Sequence, residues 1–124
     1  MTQQKTKQKT KAEKQQAIFQ ELLDEGHSAE MLSPNSGLKL TAKQKEIALN
    51  QVLENGSAYQ VFVSNFEYSV YNTERKRNLT KKQRMMLLES IAKNGNLYSL
   101  FAYQPHTLTL QEKREYMEKY KEQF

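Results

Sequence analysis

The hexapeptide Leu40–Lys45 (LTAKQK) returns 39 residues later as Leu79–Arg84 (LTKKQR). The agreement extends beyond these residues, because Asn55-Gly56 falls on Asn94-Gly95 at the same spacing. Self-similarity at a fixed spacing of this length is typical of a duplicated supersecondary unit. The sequence therefore predicts one building block that is copied within a short chain.

Each copy has the pattern of a helix with a defined start and stop. Thr41 precedes Gln44 by three residues, and Thr80 precedes Gln83 in the same way, which is the pattern of a capping box. Apolar residues at helical spacing follow in both copies, and Gly56 and Gly95 provide a left-handed end. The predicted buried stripes are Ile47, Leu49, Val52 and Leu53 in one copy and Met86, Leu87, Leu88 and Ile91 in the other.

Two further capping boxes flank the duplicated units. Thr10 with Glu13 predicts a helix that ends at Gly26, and Thr109 with Glu112 predicts a charged helix to the end of the chain. We expect the last helix to bury one stripe, formed by Leu110, Met117, Tyr120 and Phe124.

These patterns divide the chain into a tail and one compact domain. Residues 1–9 are rich in Gln, Lys and Thr and are predicted to be a flexible basic tail. Residues 10–124 are predicted to form a single domain with internal repeats. The predicted copies are about 10–37, which is eroded, then 38–76 and 77–124.

The segment 57–72 allows two interpretations. Alternating apolar residues on both sides of Ser64-Asn65 are typical of a β-hairpin. The repeat favours helices instead, because the matching segment 97–102 lacks the alternation. We therefore predict a mainly α fold made of tandem helix-turn-helix-like units, with a small central hairpin at about 59–71 as the alternative.

Composition argues against several classes of function. The chain has no cysteine, and no apolar run approaches the ~18 residues of a membrane span. The first residues lack the apolar core of a secretory signal, so we expect a cytoplasmic protein. His27 and His106 lie far apart, and no glycine-rich phosphate loop is present. We therefore predict a protein that is not an enzyme and has no metal or cofactor.

The net charge of +5 is unevenly distributed. Residues 1–16 sum to +4 and residues 75–84 to +6, which leaves −5 for the remainder. Two basic segments on an acidic body predict a surface that faces a polyanion, although a solvated linker is the plainer interpretation of 75–84. The candidate DNA contacts are Arg75, Lys76, Arg77, Lys81, Lys82, Arg84, Lys43, Lys45, Lys11 and Lys14.

The aromatic residues also separate into two predicted groups. Those at matching repeat positions are expected in the core rather than as platforms for base stacking. The better candidates for exposed contacts lie outside these positions. The predicted core aromatics are Tyr59, Phe62, Tyr98 and Phe101, and the predicted exposed ones are Tyr68, Tyr71 and Tyr103.

The repeat carries a resemblance to a known class of module. The opening Leu-Thr-x-Lys-Gln-Lys/Arg resembles the first helix of helix-turn-helix domains such as sigma-factor region 4 and phage small terminase subunits. The resemblance covers residues 40–63 and 79–102. It implies a three-helix unit whose last helix enters the major groove while basic residues hold the phosphates.

These observations predict a binding protein for double-stranded DNA. The expected setting is the regulation, transfer or packaging of a mobile element, a plasmid or a phage. Two units in one chain could act as an internal pseudo-dimer that spans half-sites about 34 Å apart. The alternative from another class is a protein-interaction module that inhibits or adapts a nuclease or polymerase without contacting DNA.

Overall fold

The computed structural model describes residues 9–66 and 79–124 of the protein. Within these ranges the chain is mainly helical and contains no strand, so the predicted mainly α class is confirmed. Short 3₁₀ turns at Pro105–Thr107 and Lys121–Gln123 flank the last helix. The α-helices are α1 (Lys11–Asp24), α2 (Ser28–Met31), α3 (Ala42–Asn55), α4 (Ala58–Phe66), α5 (Lys81–Lys93), α6 (Leu97–Tyr103) and α7 (Leu110–Lys119).

Threonine capping boxes start all four of the longer helices, as the sequence predicts. In each, the threonine hydroxyl accepts a hydrogen bond of 3.1 Å from the backbone N–H three residues on. The side chain at that third position accepts one from the threonine N–H in return. An N-cap of this kind contributes roughly 1 kcal/mol to stability. The pairs are Thr10–Glu13, Thr41–Gln44, Thr80–Gln83 and Thr109–Glu112.

Glycines end α1, α3 and α5 and turn the chain directly into a second helix. Gly56 has φ 78° and Gly95 φ 76°, in the left-handed region that disfavours any residue with a Cβ. The N–H after each glycine bonds the carbonyl five residues back, as Ser57 does to Val52 at 3.1 Å. The predicted helix ends are confirmed, and the described chain contains three successive pairs of helices joined in this way.

Residues 58–66 form a helix, as the repeat favours, so the alternative hairpin does not form over this part of its range. The helix is favoured over a strand here because Ala58, Phe62 and Phe66 recur every four residues and are buried together. This burial outweighs the strand propensity of the segment. Asn65, expected in the hairpin turn, donates instead to the carbonyl of Val61 one turn earlier, at 2.9 Å. Residues 67–71 of the predicted hairpin lie outside the described residues.

Helix α4 lies in the middle of the core and packs against α2, α3 and α5. The rings of Phe62 and Phe66 are 5.1 Å apart, and both are fully buried, which confirms Phe62 as a core residue. Tyr98, predicted to be equally buried, is 58% exposed on α6. Tyr103 is 74% exposed, as predicted, whereas Tyr68 and Tyr71 lie outside the described residues.

Helix α7 buries a different side from the predicted one. Leu110, Met117 and Phe124 are exposed, Tyr120 is half-buried against the core as predicted, and the buried residue of α7 is Tyr116. The reason is that Glu112, which lies one turn before Tyr116, is bound to α5 and fixes the rotation of the helix.

The longest described helices, α1 and α3, have 14 residues each, whereas a bilayer crossing takes about 20 apolar ones. None of the helices in residues 9–66 and 79–124 combines the length and the apolar composition of a transmembrane span.

Candidate nucleic-acid interface

Three glutamines hold the first turns of α1 and α3 side by side. The side-chain amide of Gln44 is only 5% exposed and donates to Gln15 Oε1 at 2.8 Å and to Gln16 Oε1 at 2.7 Å. Gln15 Nε2 donates back to Gln44 Oε1 at 2.7 Å and also to the carbonyl of Lys39 at 2.9 Å. Because buried amides are costly unless they are satisfied, this network fixes the register of the two helices.

Lysines from separate parts of the chain lie next to the residues of the amide network in sequence or through a backbone bond. Lys11 lies one turn before Gln15, and Lys14 is its neighbour. Lys39 is joined to Gln15 through its backbone, and Lys43 precedes Gln44. All four side chains are exposed, and together they are called the basic face.

The charge of this region is clearly positive. Residues 9–16 and 38–46 contain six lysines against two glutamates, a net charge of +4. One of the acids, Glu13, is held in the α1 cap, where the hydrogen bond from the Thr10 backbone lowers the pKa of its carboxyl. The helix N-termini of α1 and α3 add the positive ends of two helix dipoles. The region around the basic face is therefore positively charged, and positive charge of this kind attracts anionic partners.

Sequence reasoning found three residues of the basic face and missed the fourth. Lys11, Lys14 and Lys43 were predicted as contacts from the charge of their segments. Lys39 has no such signal, because it lies in the loop before a capping box and reaches α1 only through the bond from Gln15. Lys45, also predicted, is half-buried on α3.

Arg84 is not a surface cation, and its prediction as a DNA contact is wrong. It is 5% exposed, and its guanidinium donates to both carboxylate oxygens of Glu112, at 2.9 and 2.6 Å. It also donates to the carbonyl of Thr107 at 2.6 Å and lies 4.7 and 4.5 Å from the ring centroids of Phe62 and Phe66. A charge held this way is committed to the interior.

Lys81 and Lys82 form a second basic group at the start of α5, where both are exposed. Arg75, Lys76 and Arg77, the other predicted members of this group, lie outside the described residues. The second group therefore consists of two described lysines, without Arg84.

A groove of about 510 Å³ runs between α5 and α7 beside the second basic group. Its apolar lining comes from Met85, Leu88 and Tyr116. Its charged lining balances, with three cations against three carboxylates, so the groove as a whole does not attract anions. These charged residues are Lys81, Arg84, Lys119, Glu89, Glu112 and Glu115.

Two carboxylates of the groove are kept ionised by their neighbours. Burial by itself would raise the pKa of Glu112. Hydrogen bonds from Arg84 and from Thr109 outweigh this effect and hold the pKa of Glu112 below its ordinary value. Glu89 likewise has a lowered pKa despite its burial, because the hydroxyls of Tyr116 and Tyr120 and the ammonium of Lys119 bond to it. Burial, with the bond to Glu89, raises the pKa of Tyr116. These contacts join α5 to α7.

Helices α4, α6 and α7 are poor candidates for entering a DNA groove. Helix α4 is enclosed, with Gln60 as its one fully exposed residue, and α6 has no cation. Helix α7, the third helix of the last predicted unit, has three cations and three glutamates, and Glu115 and Glu118 are exposed. Exposed carboxylates repel phosphates, so charge favours the basic face over α7.

No cluster of three histidine or acidic side chains among residues 9–66 and 79–124 has the arrangement of a metal site. Comparison of the chain with protein-family models, with curated proteins and with solved structures finds no match.

Proposed function

We propose that the protein binds double-stranded DNA, with the basic face and the second basic group as its phosphate contacts. The observation that supports this proposal is the amide network of Gln15, Gln16 and Gln44, which joins α1, α3 and the loop before α3, three segments that each carry exposed lysines. Half or more of the hydrogen bonds in protein–DNA complexes go to phosphates and sugars, and exposed lysines supply them.

The proposed binding mode differs from that of the helix-turn-helix domains that the sequence resembles. The contacts come from the starts of α1 and α3, where the lysines are exposed and the helix dipoles are positive. Arg75, Lys76 and Arg77 lie near the second group in the sequence and remain proposed contacts on the charge of their segment alone. The biological setting that we propose is the regulation, transfer or packaging of a mobile element.

A titration by gel shift tests the proposal directly. The protein is added to a 25-base-pair duplex, to a single strand of the same sequence and to an RNA hairpin, each at 50 and 200 mM salt. We expect the duplex to bind at both salt concentrations, with an affinity that falls steeply between them. Each phosphate neutralised contributes about 0.9 to the slope of log K against log salt. No binding to the duplex at 50 mM salt would contradict the proposal.

A second candidate function is a protein-interaction module that inhibits or adapts a nuclease or polymerase. The observation that favours it is the exposed aromatic surface of α6, where Tyr98 and Tyr103 are 58% and 74% exposed. The rings of Tyr98 and Phe101 lie 6.2 and 4.9 Å from that of Phe124. Tyrosine is enriched at protein interfaces, and α6 itself has no cation, so its surface is better suited to a protein than to DNA.

A further inference from the structure

We infer that the basic face binds phosphates without reading the bases, so that it contributes equally to binding of any duplex DNA sequence. The inference rests on the proposed function and specifies the partner of the same surface. It follows from which polar groups the face has available and which the fold has already used.

The cations of the basic face are all lysines. A lysine ammonium is a compact point charge on a flexible stem, whereas arginine has a planar fork that pairs with the edge of guanine. The face thus has groups that neutralise phosphates at variable positions. It has no arginine among residues 9–16 and 38–46.

Two of the three network amides, those of Gln44 and Gln15, use both their nitrogen and their oxygen within the protein, and Gln16 uses its oxygen. Asparagine and glutamine recognise adenine through a paired donor and acceptor. Gln44 uses its oxygen for Gln15 and the N–H of Thr41, and it uses its nitrogen for Gln15 and Gln16. Gln15 gives its own nitrogen to Gln44 and to the carbonyl of Lys39. Breaking these bonds to contact a base would undo the joint between α1 and α3.

The hydroxyl oxygens of Thr10 and Thr41 are engaged in the helix caps. Thr10 and Thr41 each accept the hydrogen bond of a capping box, at 3.1 Å. Their loss from the caps would cost roughly 1 kcal/mol each, comparable to what a single base contact returns. The exposed cations of the face are the ammoniums of Lys11, Lys14, Lys39 and Lys43, and an ammonium bound to a phosphate carries no sequence information.

The test compares how much affinity the basic face contributes on different sequences. A duplex is first selected from a random library as the sequence that the full-length protein enriches most, and the unselected pool is the reference. Dissociation constants for both are then measured for the protein and for the variant Lys11→Gln, Lys14→Gln, Lys43→Gln. The factor by which the variant loses affinity for the selected duplex is compared with the factor by which it loses affinity for the pool. This comparison isolates the basic face even if another part of the chain reads bases.

We expect the variant to lose at least about tenfold in affinity, by the same factor on both duplexes within about threefold. The salt slope should fall by about 2.7 on each, which corresponds to three phosphates at about 0.9 each. A loss that differs more than about tenfold between the two duplexes would overturn the inference and leave DNA binding intact. A variant that binds both as tightly as the unchanged protein would overturn the inference and the assignment of the site. No binding by the unchanged protein would refute the proposed function itself.

The matched control removes the same charge elsewhere. Lys93→Gln, Arg114→Gln and Lys121→Gln change three exposed cations on α5, α7 and the turn after α7. We expect this variant to lose less than about threefold on either duplex. A loss as large as that of the first variant would overturn the inference, because it would assign binding to net charge rather than to the face. Circular dichroism and thermal unfolding of both variants check that the helices are unchanged.

Discussion

The guanidinium of Arg84 joins three parts of the molecule. It contacts the rings of Phe62 and Phe66 on α4, and it bonds Glu112 on α7 and the carbonyl of Thr107 in the turn before it. A buried ion pair contributes little net stability relative to apolar residues of the same shape, but removal of one partner leaves the other charge buried. Replacing Arg84 alone should therefore lower stability more than replacing both Arg84 and Glu112 with apolar residues.

We expect Arg84→Met to lower the free energy of unfolding by about 3 kcal/mol, because Glu112 loses its partner. Urea denaturation followed by circular dichroism measures the loss. The control Lys82→Met changes an exposed lysine of the same turn and should cost less than about 0.5 kcal/mol. An Arg84→Met protein as stable as the control would show that the ion pair has no structural role.

The two carboxylates between α5 and α7 make stability depend on pH in the acid range. Glu112 and Glu89 have folded-state pKa values below their ordinary value of 4.5. The unfolded chain therefore takes up these protons first as the pH falls, and stability decreases with acid. The contribution is fully present above about pH 5.5 and is lost as the pH falls through the folded-state pKa values.

We expect Glu112→Gln to flatten this dependence. Its free energy of unfolding should be lower than that of the unchanged protein at pH 7, and the difference should shrink towards pH 3. Chemical denaturation at pH 7, 5, 4 and 3 measures both curves. A difference that stays constant over this range would contradict the assignment of the lowered pKa to Glu112.

At the scale of the element, α1 is attached by few side chains. Phe19 is the one residue of α1 that is buried, and the rest of the attachment comes from half-buried leucines and the amide network. Gln44 is central to this attachment, because it caps α3 and bonds two residues of α1 at once. Gln83 has the same capping position on α5 but is less buried. Among the described residues, its side chain bonds only to the backbone N–H of Thr80.

This pair of glutamines offers a matched experiment. We expect Gln44→Ala to cost about 2 kcal/mol, because it removes a cap contact and leaves Gln15 and Gln16 without their partner. Hydrogen exchange in α1 should become faster while exchange in α5 is unchanged. Gln83→Ala should cost about 1 kcal/mol or less and leave exchange in α1 unaltered. Equal effects of the two changes would contradict the role of the amide network.

At the scale of the whole molecule, the basic face and the exposed aromatics lie on different elements. The basic face is built on α1, α3 and the loop before α3, whereas the aromatic surface is built on α6 and the end of the chain. The two proposed functions therefore use different surfaces and can be tested separately.

We expect Tyr98→Ser with Tyr103→Ser to leave duplex binding within about twofold of the unchanged protein. Both side chains are exposed, so stability should change by less than about 0.5 kcal/mol each. Gel shift and thermal unfolding provide the two measurements. A tenfold loss of DNA affinity in a folded variant would place DNA on the aromatic surface and contradict the basic face as the main site.

The starts and ends of the helices could be predicted because their causes are local. A capping box needs residues three apart, and a left-handed end needs one glycine, so Thr41 with Gln44 and Gly56 define α3 without reference to the rest of the chain. Segment 58–66 was ambiguous because alternation and helical spacing coexist in it. Packing against α2, α3 and α5 decides for the helix.

Tertiary structure decided which polar side chains are buried and which are exposed. The aligned hexapeptides place Gln44 opposite Gln83 and Lys45 opposite Arg84, yet α3 buries its glutamine and α5 buries its arginine. The reason is the neighbour: α3 meets the amides of α1, whereas α5 meets Glu112 and two phenylalanine rings. Local sequence thus determined where the longer helices start and where glycine ends them. Contacts between residues far apart in the sequence decided which polar groups are buried and which cations remain at the surface, because a side chain's burial depends on what the fold brings against it.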